Sequence, residues 1–375
     1  MNRAKLEEAL LPPVVALLVA VIVGDVLIIS FGQSPAAVYR QLLEGTWGNA
    51  YGLGQVLYKA TTLTFTGLSV AYALRAGLFN IGAESQLAAG GFAAAFVGLA
   101  LPAGIPALIV LPVYVLAAGL AGGIVGGIPG ALKAKFGAHE VITTIMLNFI
   151  VLALLNYLIS ARFKVHDTLH TAEIRSGALP RLADFSGPFH GSAANLVLLL
   201  ALVLAAVVWW FLFRTRPGFE LRAVGLQPEA AEYGGVSVGG VWWRAMAVSG
   251  AIAGIGGLNY VLGYKHYYEE GFGAGAGFLG IAVALVGRNH PVGVVIAAIL
   301  FGTLSQGGLA VNALVPKQMV DVLQAVVIIA MATAVPEVRR ALLSVRGAGR
   351  GARGAKPPQD ARVPLPASRV PRVPQ

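Results

Sequence analysis

The sequence predicts an all-α fold, a polytopic membrane helical bundle of about ten transmembrane helices, some of them broken. Three observations carry this reading. Of the 375 residues, 57% are hydrophobic and only 12% are charged, against about 25% charged in soluble domains. Apolar runs of roughly eighteen residues or more recur along the chain, long enough to cross a hydrocarbon core as helices. The amphipathic faces expected of a soluble helical bundle are missing from these runs.

Residues 1–9 are expected inside, and the run from Leu10 to Phe31 reads as an uncleaved first span. A signal peptide would have a shorter apolar core and a small-residue cleavage site. Asp25 within this span should face the bundle interior, either hydrogen-bonded to a neighbouring helix or touching a proton or solute. Ser34 to Tyr58 is mixed and amphipathic, suited to the outer membrane surface with Trp47 as an interfacial anchor. Span two, Val56 to Leu74, returns the chain inside at Arg75. Span three, Glu84 to Leu101, ends at a turn marked by Pro102 and Pro106. Span four, Ala107 to Ala131, carries Gly119, Gly122, Gly123, Gly126 and Gly127, which predicts close approach to other helices.

Span five, Val141 to Ile159, is followed by an external loop over 161–194, longer than ordinary connections and therefore suited to an external partner. Span six, Asn195 to Phe213, ends at Trp209, Trp210, Arg214 and Arg216, an aromatic belt followed by inside positives. An internal cytoplasmic segment over 214–244 precedes span seven, Ala245 to Tyr264. Spans eight to ten are placed at Gly271 to Gly287, Pro291 to Leu304 and Met319 to Val335. The spanning domain thus covers 10–340, with both termini cytoplasmic. Residues 341–375 form a basic tail of Arg, Gly, Ala and Pro, expected to be disordered and suited to anionic membrane lipid. The positive-inside rule agrees: 19 of the 27 Lys and Arg fall in inside segments, and 12 against 8 without the tail.

Arg75 to Gly91 (RAGLFNIGAESQLAAGG) stands out between apolar stretches. A plain spanning helix would not carry Arg75, Asn80, Glu84 and Gln86, because unpaired polar groups in hydrocarbon cost several kcal/mol. Gly77 and Gly82 allow the backbone to break, and broken backbone at membrane depth survives only around protein or a water-filled path. Either this is part of a translocation pathway or it is a turn with Arg75 as an inside marker. In span five Thr144, Asn148 and Asn156 share one helical face, serving either a polar solute or helix-to-helix hydrogen bonds. Candidate path residues are therefore Asn80, Glu84, Gln86, Asn148 and Asn156.

Within 214–244, Gln227, Pro228, Glu229, Ala230, Ala231, Glu232 and Tyr233 read as a short helix. Pro228 suits its first turn, Glu229 suits the positive N-terminal end, and Gly234 with Gly235 stops it. Two turns are too short to be stable alone but fit a partner's groove. A re-entry turn is the alternative. AGLFNIGA from Ala76 and AGFLGIAV from Ala276 also echo each other at a spacing of 200 residues. That is either a transporter repeat or coincidence in an Ala- and Gly-rich chain.

Several functions are excluded. The net charge of +10 is concentrated in the tail, and no basic stripe interleaved with aromatics suggests nucleic acid. With no cysteine there is no thiol nucleophile or thiolate metal site. His139 and Glu140 begin HEVIT, with Thr143 where a zinc-protease HExxH needs its second histidine. No Ser/His or paired Asp arrangement supports an intramembrane enzyme, and no GxxxxGK[ST] loop exists for ATP. Neither cofactor nor metal is expected, and the energy must come from a partner or a gradient.

GLFNIGAESQ from Gly77, RAVGLQPEAAEYGG from Arg222 and GFLGIAVALVGRNHP from Gly277, with SGAIAGIGG from Ser249, resemble a known family. They are similar to ABC-importer inner-membrane permeases of the branched-chain amino acid and sugar superfamily, closest to its nucleoside or simple-sugar branch. The resemblance implies two ABC ATPase subunits, a second permease subunit and a lipid-anchored or periplasmic solute-binding protein. It further implies that Gln227 to Gly234 is the coupling helix seated in the ATPase cleft. Relatives usually have Gly where Ser85 stands and Asn where Gln227 stands, and Gln caps a helix less well than Asn. The expected function is a permease subunit translocating nucleosides or related simple sugars across the inner membrane. The alternatives are branched-chain amino acids, another sugar, or proton-coupled secondary transport through Asp25 and Glu84.

Overall fold

The computed structural model describes residues 3–330 except 274 and 317. The expected basic tail over 341–375 and the far end of span ten lie outside the described residues. The described chain is all-helical. Its main helices are α1 (Arg3–Ser30), α2 (Pro35–Thr46), α3 (Ala50–Arg75), α4 (Ala83–Ala100), α5 (Ala107–Phe136) and α6 (Glu140–Leu158). The short α7 (Leu182–Phe185) precedes α8 (Val197–Arg214), α9 (Arg216–Leu226), α10 (Pro228–Tyr233), α11 (Val238–Gly256) and α12 (Leu258–Val261). Then follow α13 (Ala276–Val286), α14 (Pro291–Ala310) and α15 (Gln318–Ala330). Among the described residues five stretches are long and apolar enough to cross a membrane, and a sixth if Leu18–Ser30 of α1 and α2, bent by 112° at their break, count as one. This is a multi-pass membrane protein.

The central helix is α3, buried almost continuously from Ala60 to Ala73. Its buried face carries Thr61, Thr62, Thr64, Thr66 and Ser69, and several of these hydroxyls bond the carbonyl one turn back, as Thr64 does to Ala60 at 2.8 Å. That polarity lowers its hydropathy while burial makes it tolerable. α13, α14, α11 and α8 surround it. Asn49 caps the helix, its side chain accepting from Gly52 N at 2.6 Å, so α3 begins six residues before the expected start at Val56. α2 is clamped to the end of α14, Gln41 Nε2 donating to Ala310 O at 2.8 Å and Trp47 Nε1 to Thr303 Oγ1 at 3.2 Å.

α5 and α11 approach through their glycines. A Cβ on Gly250 would stand 2.2 Å from Gly122 O, so no larger residue fits the crossing. The opposite face of α5 exposes Leu116, Leu120 and Ile124. Only one side of this helix is therefore buried among others, less than its glycine content suggests.

The loop over 161–194 is tied down at the end of the bundle away from α10. Thr171 N donates to Tyr268 O at 2.8 Å, Ile174 N to His266 O at 2.7 Å and Leu179 N to Leu262 O at 3.1 Å. Asp25 of α1 is half-buried with a buried Oδ1 that lacks a hydrogen-bond partner among the described residues.

Expected span eight departs from a continuous helix. Gly271, Gly273 and Gly275 have φ of 74°, 78° and 84°, a left-handed region open to glycine and costly for other residues. The chain runs irregularly until α13 begins at Ala276 and is helical for only 11 residues. The echo at 200 residues does not mark equivalent structure. Ala76 starts the break between α3 and α4, whereas Ala276 starts a helix.

Candidate translocation core and coupling segment

The break between α3 and α4 turns back beside α3. Asn80 and Gln86 exchange amide hydrogen bonds across it, Asn80 Nδ2 to Gln86 Oε1 at 2.8 Å and Gln86 Nε2 to Asn80 Oδ1 at 3.0 Å. Asn80 Nδ2 also donates to Ser249 Oγ at 2.7 Å, and Ser249 in turn donates to Ser69 O at 2.7 Å. All four residues are fully buried. Their amide and hydroxyl groups are satisfied by one another, as buried polar groups must be. Asn148 of α6 closes the same knot, accepting from Ser85 N at 3.2 Å and donating to Ile81 O at 2.9 Å. Of the two alternatives for its helical face, interhelical bonding is the one Asn148 makes. Asn156 lies eight residues further, about 12 Å along the helix, and is half-buried.

Glu84 points the other way. Its carboxylate accepts from Gly275 N at 2.7 Å and Gly277 N at 2.6 Å, and the residue is only 4% exposed. A half-helix beginning inside the bundle leaves free N–H groups and a positive dipole end. Glu84 satisfies both. The contact is so close that a Cβ on Gly277 would stand 2.2 Å from Glu84 N.

Against this clasp lies a cavity of about 770 Å³. Its walls come from α3 (Tyr58, Lys59, Thr62), α13, Ser305 of α14, and Asp321 and Gln324 of α15, with Tyr260 and Phe272 between them. Gly271, Gly273 and Gly275 present backbone to it, and Lys265 and Glu269 line it near the 161–194 loop. None of the five expected path residues lines this cavity. Glu84 reaches its wall through backbone of the segment that begins α13, including Gly275. The lining residues escaped sequence reading because Lys59, Ser305 and Asp321 are isolated polar residues in unrelated segments.

At the opposite end, α9 and α10 fold back on the bundle. α10 runs from Pro228 to Tyr233 with Pro228 in its first turn, Glu229 at its N-terminal end and Gly234 after it. Gln227 occupies the N-cap position without a side-chain cap bond. Ala231 is buried, whereas Ala230, Glu232 and Gly234 are exposed. Tyr233 is 95% exposed and Leu226, just before α10, is 87% exposed. The sequence reading missed α9, although Thr215 caps it at Gly218 N (3.2 Å), Pro217 sits in its first turn and Arg216 pairs with Glu220. α9 is fixed on the core by Gly225, where a Cβ would stand 2.1 Å from Arg75 O and 2.9 Å from Gly77 N. Arg75 and Arg222 both lie over the Phe213 ring, at 5.7 and 5.2 Å.

Residues 52–332 match the family described as the branched-chain amino acid transport system / permease component. The chain belongs to this ABC-transporter permease family. It is 40% identical to the guanosine ABC transporter permease protein NupP of Bacillus subtilis, over 86% of this chain and 93% of the relative. It is 35% identical to the nucleoside ABC transporter permease protein NupB of Lactococcus lactis, covering 85% and 89% of the two chains. A glucose ABC transporter permease protein, TsgB13 of Haloferax volcanii, is also 35% identical, over 86% of each. No solved structure matches significantly. Membership makes the chain a transport component, not a catalyst, and implies ATPase partners.

Proposed function

We propose that this permease imports nucleosides, or related simple sugars, across the inner membrane, with ATPase subunits docked on Gln227 to Gly234. It crosses ten times with both termini cytoplasmic, α3 and α4 among the crossings despite their polar faces. A second permease completes the pathway, and a lipid-anchored or periplasmic receptor delivers solute beside the 161–194 loop. Nucleoside transport is preferred because two of the three relatives above carry nucleoside names over most of their length. The observation that supports ATPase docking is the outward pair Leu226 and Tyr233 beside the Gly225–Gly77 contact. ATPase closure would push α10, and α9 would pass the movement to the break at 76–82. Asn80, Gln86 and Asn148 then hold that break in shape, while Glu84 links it to the cavity wall.

Truncating an anchor that fills a partner's groove costs about 2 kcal/mol of binding, roughly thirtyfold. Tyr233→Ala and Leu226→Ala should each weaken retention of the ATPase on the purified permease and reduce labelled-guanosine uptake, with membrane insertion unchanged. Full retention and uptake in both variants would remove α10 as the docking point.

A further inference from the structure

The importer reading leaves open where the solute sits. We propose that the cavity between α3, α13, α14 and α15 is the solute site, and that its ligand is a nucleoside held by an aromatic wall and a polar wall. The inference rests on the importer reading and adds the residues and the ligand chemistry.

The cavity's size, about 770 Å³, lies in the range of small-molecule sites. One side is aromatic. Tyr260 stands edge-on to both Tyr58, at 5.8 Å between ring centres, and Phe272, at 5.0 Å. Tyr58 and Phe272 are buried behind it, so Tyr260 is the partly exposed ring, against which a flat base can lie with little dependence on which base. Facing it are groups that are expensive in a membrane protein unless they meet a polar cavity. Lys59 donates to Ser305 O at 3.1 Å and to Ser305 Oγ at 3.3 Å, which fixes its ammonium at the wall. Asp321 and Gln324 stand three residues apart, on one face of α15, and both line the same space. A carboxylate beside an amide offers acceptors and donors for the neighbouring hydroxyls of a sugar. An aliphatic amino acid would leave the aromatic wall without a planar partner. The rim carries Lys265 and Glu269 on the segment to which the 161–194 loop is bonded, so the cavity's mouth adjoins the end proposed to receive solute.

The chain contains no cysteine, so single cysteines can be read without background. In the complete transporter in membrane vesicles, Gln324→Cys should react with a small charged thiol reagent. Saturating guanosine should slow that reaction at least fivefold, while leucine and glucose should not. Trp47→Cys, at the exposed surface, should be indifferent to all three. Asp321→Asn should raise the KM for guanosine uptake about tenfold with kcat little changed, a split that a merely destabilised protein would not give. Guanosine uptake without protection at Gln324→Cys, and with a normal KM in Asp321→Asn, overturns the site but leaves the importer reading standing. Protection by glucose or leucine instead of guanosine overturns the ligand class. Absence of any nucleoside uptake by the unaltered transporter overturns the importer's substrate and this inference with it.

Discussion

Glu84 is a buried acid whose side chain is wholly engaged in structure. Its two carboxylate oxygens receive the N–H groups of Gly275 and Gly277, so both acceptors are in use at the start of α13. Glu84→Gln keeps the shape but turns one acceptor into a donor facing a donor. Leaving one buried N–H unpaired costs about 1–3 kcal/mol, so the purified permease should unfold several degrees lower. An unchanged melting temperature would show that the clasp contributes nothing. The sequence displayed Asn80, Glu84, Gln86 and Asn148 as polar residues out of place, and that much is legible from cost alone. Whether such a residue faces a path or a partner is not. Asn80 is satisfied by Gln86 six positions away and by Ser249, which lies 169 positions away, and no local pattern announces the second.

Elements were legible where local rules acted alone and obscure where long-range packing decided. The short helix at Pro228 to Tyr233 follows from Pro, Glu and Gly placed in order. α9 was missed because its own signals, Thr215, Pro217 and the Arg216–Glu220 pair, lie in a segment dominated by charge. α13 is shorter than its apolar run because alternate glycines at 271, 273 and 275 hold positive φ, and Glu84 supplies the cap that lets a helix start there. The α9 contact gives a prediction at this scale. Valine at position 225 would press its Cβ to within 2.1 Å of Arg75 O, a rigid backbone atom. Overpacking of that kind costs about 1–3 kcal/mol, relieved by moving α9 off the break at 76–82. Gly225→Val should keep its ATPase and hydrolyse ATP while uptake falls more than tenfold. Equal losses of hydrolysis and uptake would mean that the contact holds the subunit together and transmits nothing.

Across the whole molecule one physical line joins the two ends. It runs from the exposed α10 through Gly225 and Gly77 to the Asn80–Gln86 knot, then through Glu84 to Gly275 at the cavity. The line works as a transport device only if α10 and the 161–194 loop lie on opposite faces of the membrane. α8 is the single apolar helix between them, 18 residues or about 27 Å long, enough for one crossing of the hydrocarbon core. Phe185 in the loop and Tyr233 on α10 are both exposed, and the cysteine-free background again makes each a clean reporter. Phe185→Cys should react with an impermeant thiol reagent in right-side-out vesicles and be silent in inverted ones, and Tyr233→Cys should do the reverse. Reaction of both from the same face would place receptor and ATPase on one side, and the path from α10 to the cavity would then have no gradient of access to work against.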